Sequence, residues 1–184
     1  MRDENRNMSD DELVDGCLKK DVKAQKILFQ RFAPKMMGVC LRYANSSIEA
    51  EDMLQEGLIK VFEKLNMYSG KGSLEGWVRR IVVNTALDIL RKNKKMKFNT
   101  SIDDVEFTLK KEQYIIEGLT ANELMKILQT IPVGYRTVFN MYAIEGYSHK
   151  EIAKELDISV STSKSQLSRA RSVLKGIIEN NDLL

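Results

Sequence analysis

The residues best suited to recognition chemistry lie near the C-terminus. Ser161, Thr162, Lys164, Ser165, Gln166, Ser168 and Arg169 mix short hydroxyls, an amide and two cations within one stretch. Hydroxyl, amide and guanidinium groups hydrogen-bond to base edges in the major groove, and cations hold phosphates. To do so they must share one exposed helix face. Val160, Ser163, Leu167, Ala170, Leu174 and Ile177 recur at helical spacing and are expected inward, which leaves the polar set outward. Upstream, Ser148 and Glu151 have capping-box spacing, and Ile152, Ala153 and Leu156 make one apolar face. Asp157-Ile158-Ser159 breaks that helix, and Ser159 can cap the next. The pattern reads as a helix-turn-helix whose second helix faces duplex DNA. An ordinary helical hairpin with a solvated face is the plainer alternative.

A second constellation lies in the first half. The turn-rich loop Asn66-Met67-Tyr68-Ser69-Gly70-Lys71-Gly72 precedes a helix led by Ser73. On that helix Asn84 is outward, with Arg80 one turn before it and Asp88 one turn after. An unpaired nucleotide needs cations for its phosphate, a ring or apolar wall for its base and an amide for its edge. Tyr68, Lys71, Arg80 and Asn84 supply that set, although an exposed asparagine alone says little.

The elements that position these residues read as helices throughout. The chain has 184 residues, 43% of them hydrophobic, and only two prolines. Strand-like alternation is nowhere sustained, so an all-α fold is expected. Ser9 and Glu12 open a short helix to Leu18, and Asp21 caps a long one to Tyr43 with Ala24, Leu28, Phe32, Met36 and Val39 inward and a kink at Pro34. A capping box at Ser46 and Glu49 starts a regular helix. Its apolar stripe is Ala50, Met53, Leu54, Gly57, Leu58, Val61, Phe62 and Leu65, and Glu51, Asp52, Gln55, Glu56, Lys60 and Glu63 lie off it. Leu74, Trp77, Val78, Ile81, Val82, Ile89 and Leu90 are inward on the helix after the loop; Trp77 reads as core, not as a base-stacking ring. Residues 96–119 are charged and patchily apolar and read as a flexible linker, with a short helix over Thr108 to Glu117. Thr120 and Glu123 cap a helix to Thr130. Pro132 suits the first turn of a helix running to Glu145, which Gly146 closes. Two small helical domains, residues 1–95 and 120–184, follow.

The net charge of +3 is modest, so its distribution matters more. Glu49 to Asn66 holds five acids and two bases, whereas Arg79 to Lys97 holds seven bases and one acid, which suggests two different partners. Cys17 and Cys40 form no C-x-x-C pair and His149 has no companion at ligand spacing, so no metal or other cofactor is expected. Each cysteine reads as a small buried apolar residue in a reducing cytosol. The polar Met1–Asp11 stretch is no signal peptide and no apolar run reaches bilayer length, so a cytoplasmic protein without membrane insertion is expected. No nucleophile with its base and no phosphate loop is visible, so the chain does not read as an enzyme.

Three segments in order resemble one family. Ala50-Glu51-Asp52-Met53-Leu54-Gln55-Glu56 with Lys60-Val61-Phe62 is similar to the polymerase-binding helix in region 2 of the extracytoplasmic-function (ECF) sigma factors. Gly72 to Ala86 resembles their promoter-melting segment, and Ile131-Pro132 through Arg171 resembles region 4. The resemblance implies that Asp52, Gln55 and Glu56 contact the clamp of the largest subunit of core RNA polymerase. It implies a second contact, to the flap of the next largest subunit. The Asn66–Ser73 loop would capture a base flipped from the −10 element, with Asn84 lining its pocket and Arg80, Arg91 and Lys92 holding the backbone. Thr162, Lys164, Ser165, Gln166, Ser168 and Arg169 would face the −35 element, and Arg171 and Lys175 would touch phosphate or merely aid solubility. Family analogy also admits an anti-sigma partner. Two positions depart from the family: Ser163 replaces an apolar inward residue, implying looser packing, and Gln166 stands where a basic residue is common. A duplex-operator binder that works without polymerase explains the second half but leaves the acidic helix and the glycine loop idle. A helical interaction module without DNA activity is the third reading.

Overall fold

The computed structural model describes residues 8–93 and 121–181, with side chains at 8–92 and 124–177. The expected linker, its short helix and the Thr120 cap lie outside the described residues. Among the described residues there is no strand. The helices are α1 (Asp10–Leu18), α2 (Val22–Tyr43), α3 (Ser47–Lys64), α4 (Leu74–Asn93), α5 (Ala121–Thr130), α6 (Val133–Phe139), α7 (His149–Leu156) and α8 (Val160–Asn181). The chain divides into two compact units, Met1–Ile89 and Leu90–Leu184.

Local chemistry sets the helix starts. Ser9 and Glu12 form a complete capping box, each satisfying the other's backbone N–H. Asp21 accepts from the Lys23 amide at the start of α2, and that helix runs on through Pro34. At α3 only half of the expected box forms. Ser46 accepts from the Glu49 amide, but the Glu49 carboxylate accepts from the Asn45 backbone N–H at 2.7 Å. Ser73 accepts from the Gly76 amide at 3.1 Å and so caps α4.

In the first unit α1 and α3 pack on α2, and α1 also reaches the 3₁₀ turn Leu65–Met67. Arg31 on α2 ties α1 down, donating to the Met8 carbonyl at 2.6 Å and pairing with Asp10 at 3.2 Å. Glycine lets the helices approach closely: a Cβ on Gly57 would stand 3.1 Å from Val82 Cγ2, and one on Gly16 would stand 2.7 Å from Ala24 Cβ. A methyl added at position 16 could not swing aside, and neither could the Ala24 methyl it would meet. Gly16→Ala is therefore expected to lower Tm by about 2–6 °C in thermal unfolding, overpacking outweighing the gain in helix propensity. α4 buries more than expected: Val83, Thr85, Ala86 and Leu87 join Leu74, Val78, Val82 and Leu90, whereas Trp77, Ile81 and Ile89 are only half-buried. Burial pushes both thiols up, Cys40 to about 12, so they pack as neutral apolar groups.

The second unit departs from expectation in one helix. Pro132 sits at the cap before α6, not in its first turn, and the expected helix to Glu145 is α-helical only to Phe139. Asn140–Ile144 then widens into a π turn, the Glu145 N–H reaching the Asn140 carbonyl at 2.9 Å. Gly146, at φ +78°, then reverses the chain as expected.

Candidate nucleic-acid interface and acidic ridge

The helix-turn-helix forms as its residue types dictate. Ser148 and Glu151 complete a capping box, and Asp157 ends α7 in the left-handed conformation at φ +53°. Ser159 Oγ accepts from the Thr162 amide at 2.9 Å and starts α8. Leu167, Ala170 and Ile177 are buried as expected, but Val160 is 38% exposed. Ser163 is wholly buried, and its Oγ lies 2.9 Å from His149 Nδ1, so a polar bond stands on this inward face.

The six expected −35 readers do not share one face. Lys164, Ser165 and Ser168 are exposed on the crest of α8. Thr162, Gln166 and Arg169 recur at i, i+4 and i+7, which forms a separate flank, and all three are half-buried. The Gln166 Oε1 is cut off from solvent and has no hydrogen-bond partner among the described residues. Arg169 donates to Tyr135 Oη on α6 at 2.9 Å, with its Cζ 5.8 Å from the ring centroid. The outward placement of Gln166 and Arg169 is thus corrected, because 100° per residue carries them round toward α6. From the crest, Lys164 and Ser168 continue with Arg171 and Lys175 at i, i+4, i+7 and i+11 along an open groove that His149 also lines. This cationic edge was legible from the spacing, but the sequence reading did not include His149 in it. Lys164→Ala is expected to weaken duplex binding and to flatten the slope of log K against log salt by about 0.9, read from titrations at several salt concentrations.

In the first unit Tyr68 organises the loop. Its hydroxyl donates to the Gly72 carbonyl at 2.8 Å, and its ring lies 5.5 Å from the Trp77 ring, tilted by 59°. Gly70 and Gly72 adopt φ of +71° and +90°, which side chains resist. Burial, then the Asp10 and Asp11 carboxylates, push the Tyr68 phenol above its ordinary range, so it stays a donor at neutral pH. Along α4, Trp77, Arg80, Asn84 and Asp88 make one stripe about 16 Å long by helical rise. Tyr68 packs at its Trp77 end, about two turns from Asn84. Lys71, Arg80, Asn84, Arg91 and Lys92 are exposed, the last two in the final turn of α4.

On α3, Asp52 and Gln55 are exposed as expected. Glu56 is half-buried and pairs with Lys60 at 2.9 Å; Lys60 also lies 3.7 Å from Asp88 on α4, so the lysine links the two helices. Two residues that sequence reasoning passed over share the ridge: Ile48, 71% exposed, and Ile59, 57% exposed. With Asp52, Gln55 and Glu63 they run at i, i+4, i+7, i+11 and i+15, a mixed apolar and acidic strip on one face. Their signal is the period they share with Asp52, Gln55 and Glu63; they belong neither to the expected apolar stripe nor to the expected polar face. Among the described residues no cluster of His, Cys, Asp and Glu could hold a metal ion, and no helix is long and apolar enough to cross a membrane.

A helical protein with a helix-turn-helix and a separate exposed ridge of acidic and apolar residues is the class these features define. Residues 28–96 match the family model for sigma-70 region 2, and residues 121–174 match that for sigma-70 region 4. The chain is 26% identical over 176 residues to the RNA polymerase sigma-H factor of Pseudomonas aeruginosa, covering 90% of this chain and 91% of that one. It is 27% identical over 183 residues to the ECF RNA polymerase sigma-E factor of Haemophilus influenzae, covering 94% and 96%. Among solved structures, the sigma factor RpoE in complex with the anti-sigma factor NepR from Bartonella quintana shares the fold, with a TM-score of 0.51 and 21% identity over 86% of this chain and 98% of that one. The two family matches take in two thirds of the chain, which belongs to the sigma-70 family as a factor of the ECF type.

Proposed function

We propose that this chain binds core RNA polymerase and directs promoter-specific initiation, with region 2 at residues 1–95, a tether at 96–119 and region 4 at 120–184. The observation that carries the reading is the ordered pair of family matches, the first lying mainly on the unit Met1–Ile89 and the second wholly within Leu90–Leu184. The ridge of Ile48, Asp52, Gln55 and Ile59 is the surface offered to the clamp of the largest subunit. The Tyr68 loop and the Arg80–Asn84 stripe would trap an unpaired −10 base, Lys71, Arg91 and Lys92 holding phosphates. Lys164, Ser165 and Ser168 would read the −35 duplex, and Thr162, Gln166 and Arg169 would reach it only from the α6 flank. Two modest DNA contacts on one tether raise each other's effective concentration, so neither need be tight alone. Melting is then stabilised by capture of bases, and the chain itself catalyses nothing. A cytoplasmic location, a flap contact and an anti-sigma partner are what the family resemblance adds.

Single-round transcription with purified core enzyme on a library of random promoter sequences tests this. Promoter-specific RNA is expected only when the chain is added, and the transcribed templates define its −10 and −35 elements. Strong duplex binding without polymerase, and no transcript with it, would instead mark an operator binder.

A further inference from the structure

His149 is the single histidine of the chain, and two contacts fix its ring. Its Nδ1 lies 2.9 Å from the buried Ser163 Oγ. Its face stacks on Tyr142 with centroids 4.6 Å apart and planes 23° from parallel. Arg171 Cζ lies 5.8 Å from the centroid of the same Tyr142 ring, so a cation stands on the same aromatic support. The half-buried imidazole borders the groove whose other polar walls are Lys164, Ser168, Arg171, Ser172 and Lys175. A groove so lined suits an anion. The anion that region 4 meets is the DNA backbone, so the inference rests on the promoter-binding reading.

We infer that His149 is a phosphate ligand on the −35 duplex and that Ser163 is its positioning residue. A serine hydroxyl can donate to a neutral imidazole nitrogen or accept from it. When Ser163 donates to Nδ1, the ring proton sits on Nε2, the nitrogen left to meet the groove, and can be given to a phosphate oxygen. The opposite arrangement would leave a lone pair there, which an anion repels. Phosphate binding therefore selects the arrangement in which Ser163 donates. Ser163 has a reason to be polar in a helix face that is otherwise apolar: it holds a DNA ligand in the right tautomer and orientation. Tyr142, carried on the π turn, keeps the ring from swinging away.

The test uses the full chain in holoenzyme and the −35 duplex recovered by the library transcription, with Kd read by fluorescence anisotropy. His149→Asn keeps a polar group near the Nδ1 position, within reach of Ser163, but has nothing at Nε2. His149→Gln carries an amide nitrogen near the Nε2 position. Loss of a hydrogen bond to a charged group predicts about tenfold weaker binding for the Asn variant, and the Gln variant should stay within about threefold of the native chain. Both should unfold near the native Tm. A native Kd for His149→Asn overturns the assignment, as does a result in which Asn restores binding and Gln does not, since only the Ser163 bond would then matter. A measurement without variants guards against misfolding: the ¹⁵Nε2 resonance of His149 in the free full chain should shift on saturation with the duplex, and an unmoved resonance overturns the inference. A library that returns no transcript at all overturns the promoter reading and this inference together. A recovered duplex that holds His149→Asn normally removes only the histidine.

Discussion

Ile59→Glu is expected to weaken association with core RNA polymerase by about 30-fold or more, the scale of an interface hot spot. Ile59 is an isoleucine that the core of the fold does not use. Ile59 is 57% exposed on a helix whose opposite face packs against α2. A scattered surface apolar residue needs no explanation. This one stands one turn beyond Gln55 and one turn before Glu63, with Ile48 at the other end of the same strip. Apolar anchors ringed by polar groups are how protein interfaces concentrate their energy. A carboxylate at position 59 would be desolvated without a partner when the clamp closes on it, whereas in the free chain it would sit in water. Pull-down or anisotropy titration against core enzyme reads the loss, and Tm should move by no more than a degree or so. Gln55→Ala should cost less, about threefold to fivefold, because a rim amide exchanges one set of hydrogen bonds for water. Unchanged binding by Ile59→Glu would move the docking surface off this ridge. A Tm fall of several degrees would mark Ile59 as structural.

The parts of the fold legible in the sequence were those written in local chemistry. Ser9, Asp21, Ser148 and Ser159 cap helices because a short oxygen side chain meets an orphan amide two or three residues on, and no distant residue is consulted. The Glu49 box failed in its second half because the carboxylate is taken by Asn45, whose backbone N–H and side-chain amide both donate to it. Longer-range choices were hidden. Arg136 and Asn140 are buried, one turn apart, on a face that polarity alone would turn to solvent. The Arg136 guanidinium donates to the Gln129 carbonyl at 3.2 Å, a partner seven residues away that no helical period announces. The candidate site shows the same split. The spacing gathers the polar set on α8, but that the Arg169 flank of this helix meets α6 depends on the distant Tyr135, whose hydroxyl accepts from Arg169. His149 went unread because its partner, Ser163, looked like a defect in an apolar face until the two were seen together.

Tyr68→Ala is expected to lower open-complex formation at a cognate promoter by roughly ten- to a hundredfold while −35 duplex binding stays native. The loop it belongs to has little else to hold it. Between the 3₁₀ turn at Met67 and the cap at Ser73 stand two left-handed glycines and exposed polar residues, a stretch that water would otherwise keep extended. Tyr68 joins its ends through the Gly72 carbonyl and lays its ring beside Trp77, while α1 braces the turn from behind. Capture of a base requires that loop to exist before the base arrives, because ordering it during capture would consume about 1–2 kcal/mol per residue of conformational entropy. Tyr68→Phe separates the two contributions: it keeps the ring and loses the hydroxyl, so a loss of about threefold is expected. Permanganate footprinting and single-round transcription read both variants. The decisive arm uses a fork template whose −10 strand is already single. If the loop captures bases, the Tyr68→Ala defect persists there, since a captured base is needed however the strand was opened. A defect that vanishes on the fork would assign the loop to strand separation and would leave Asn84 without a pocket to line.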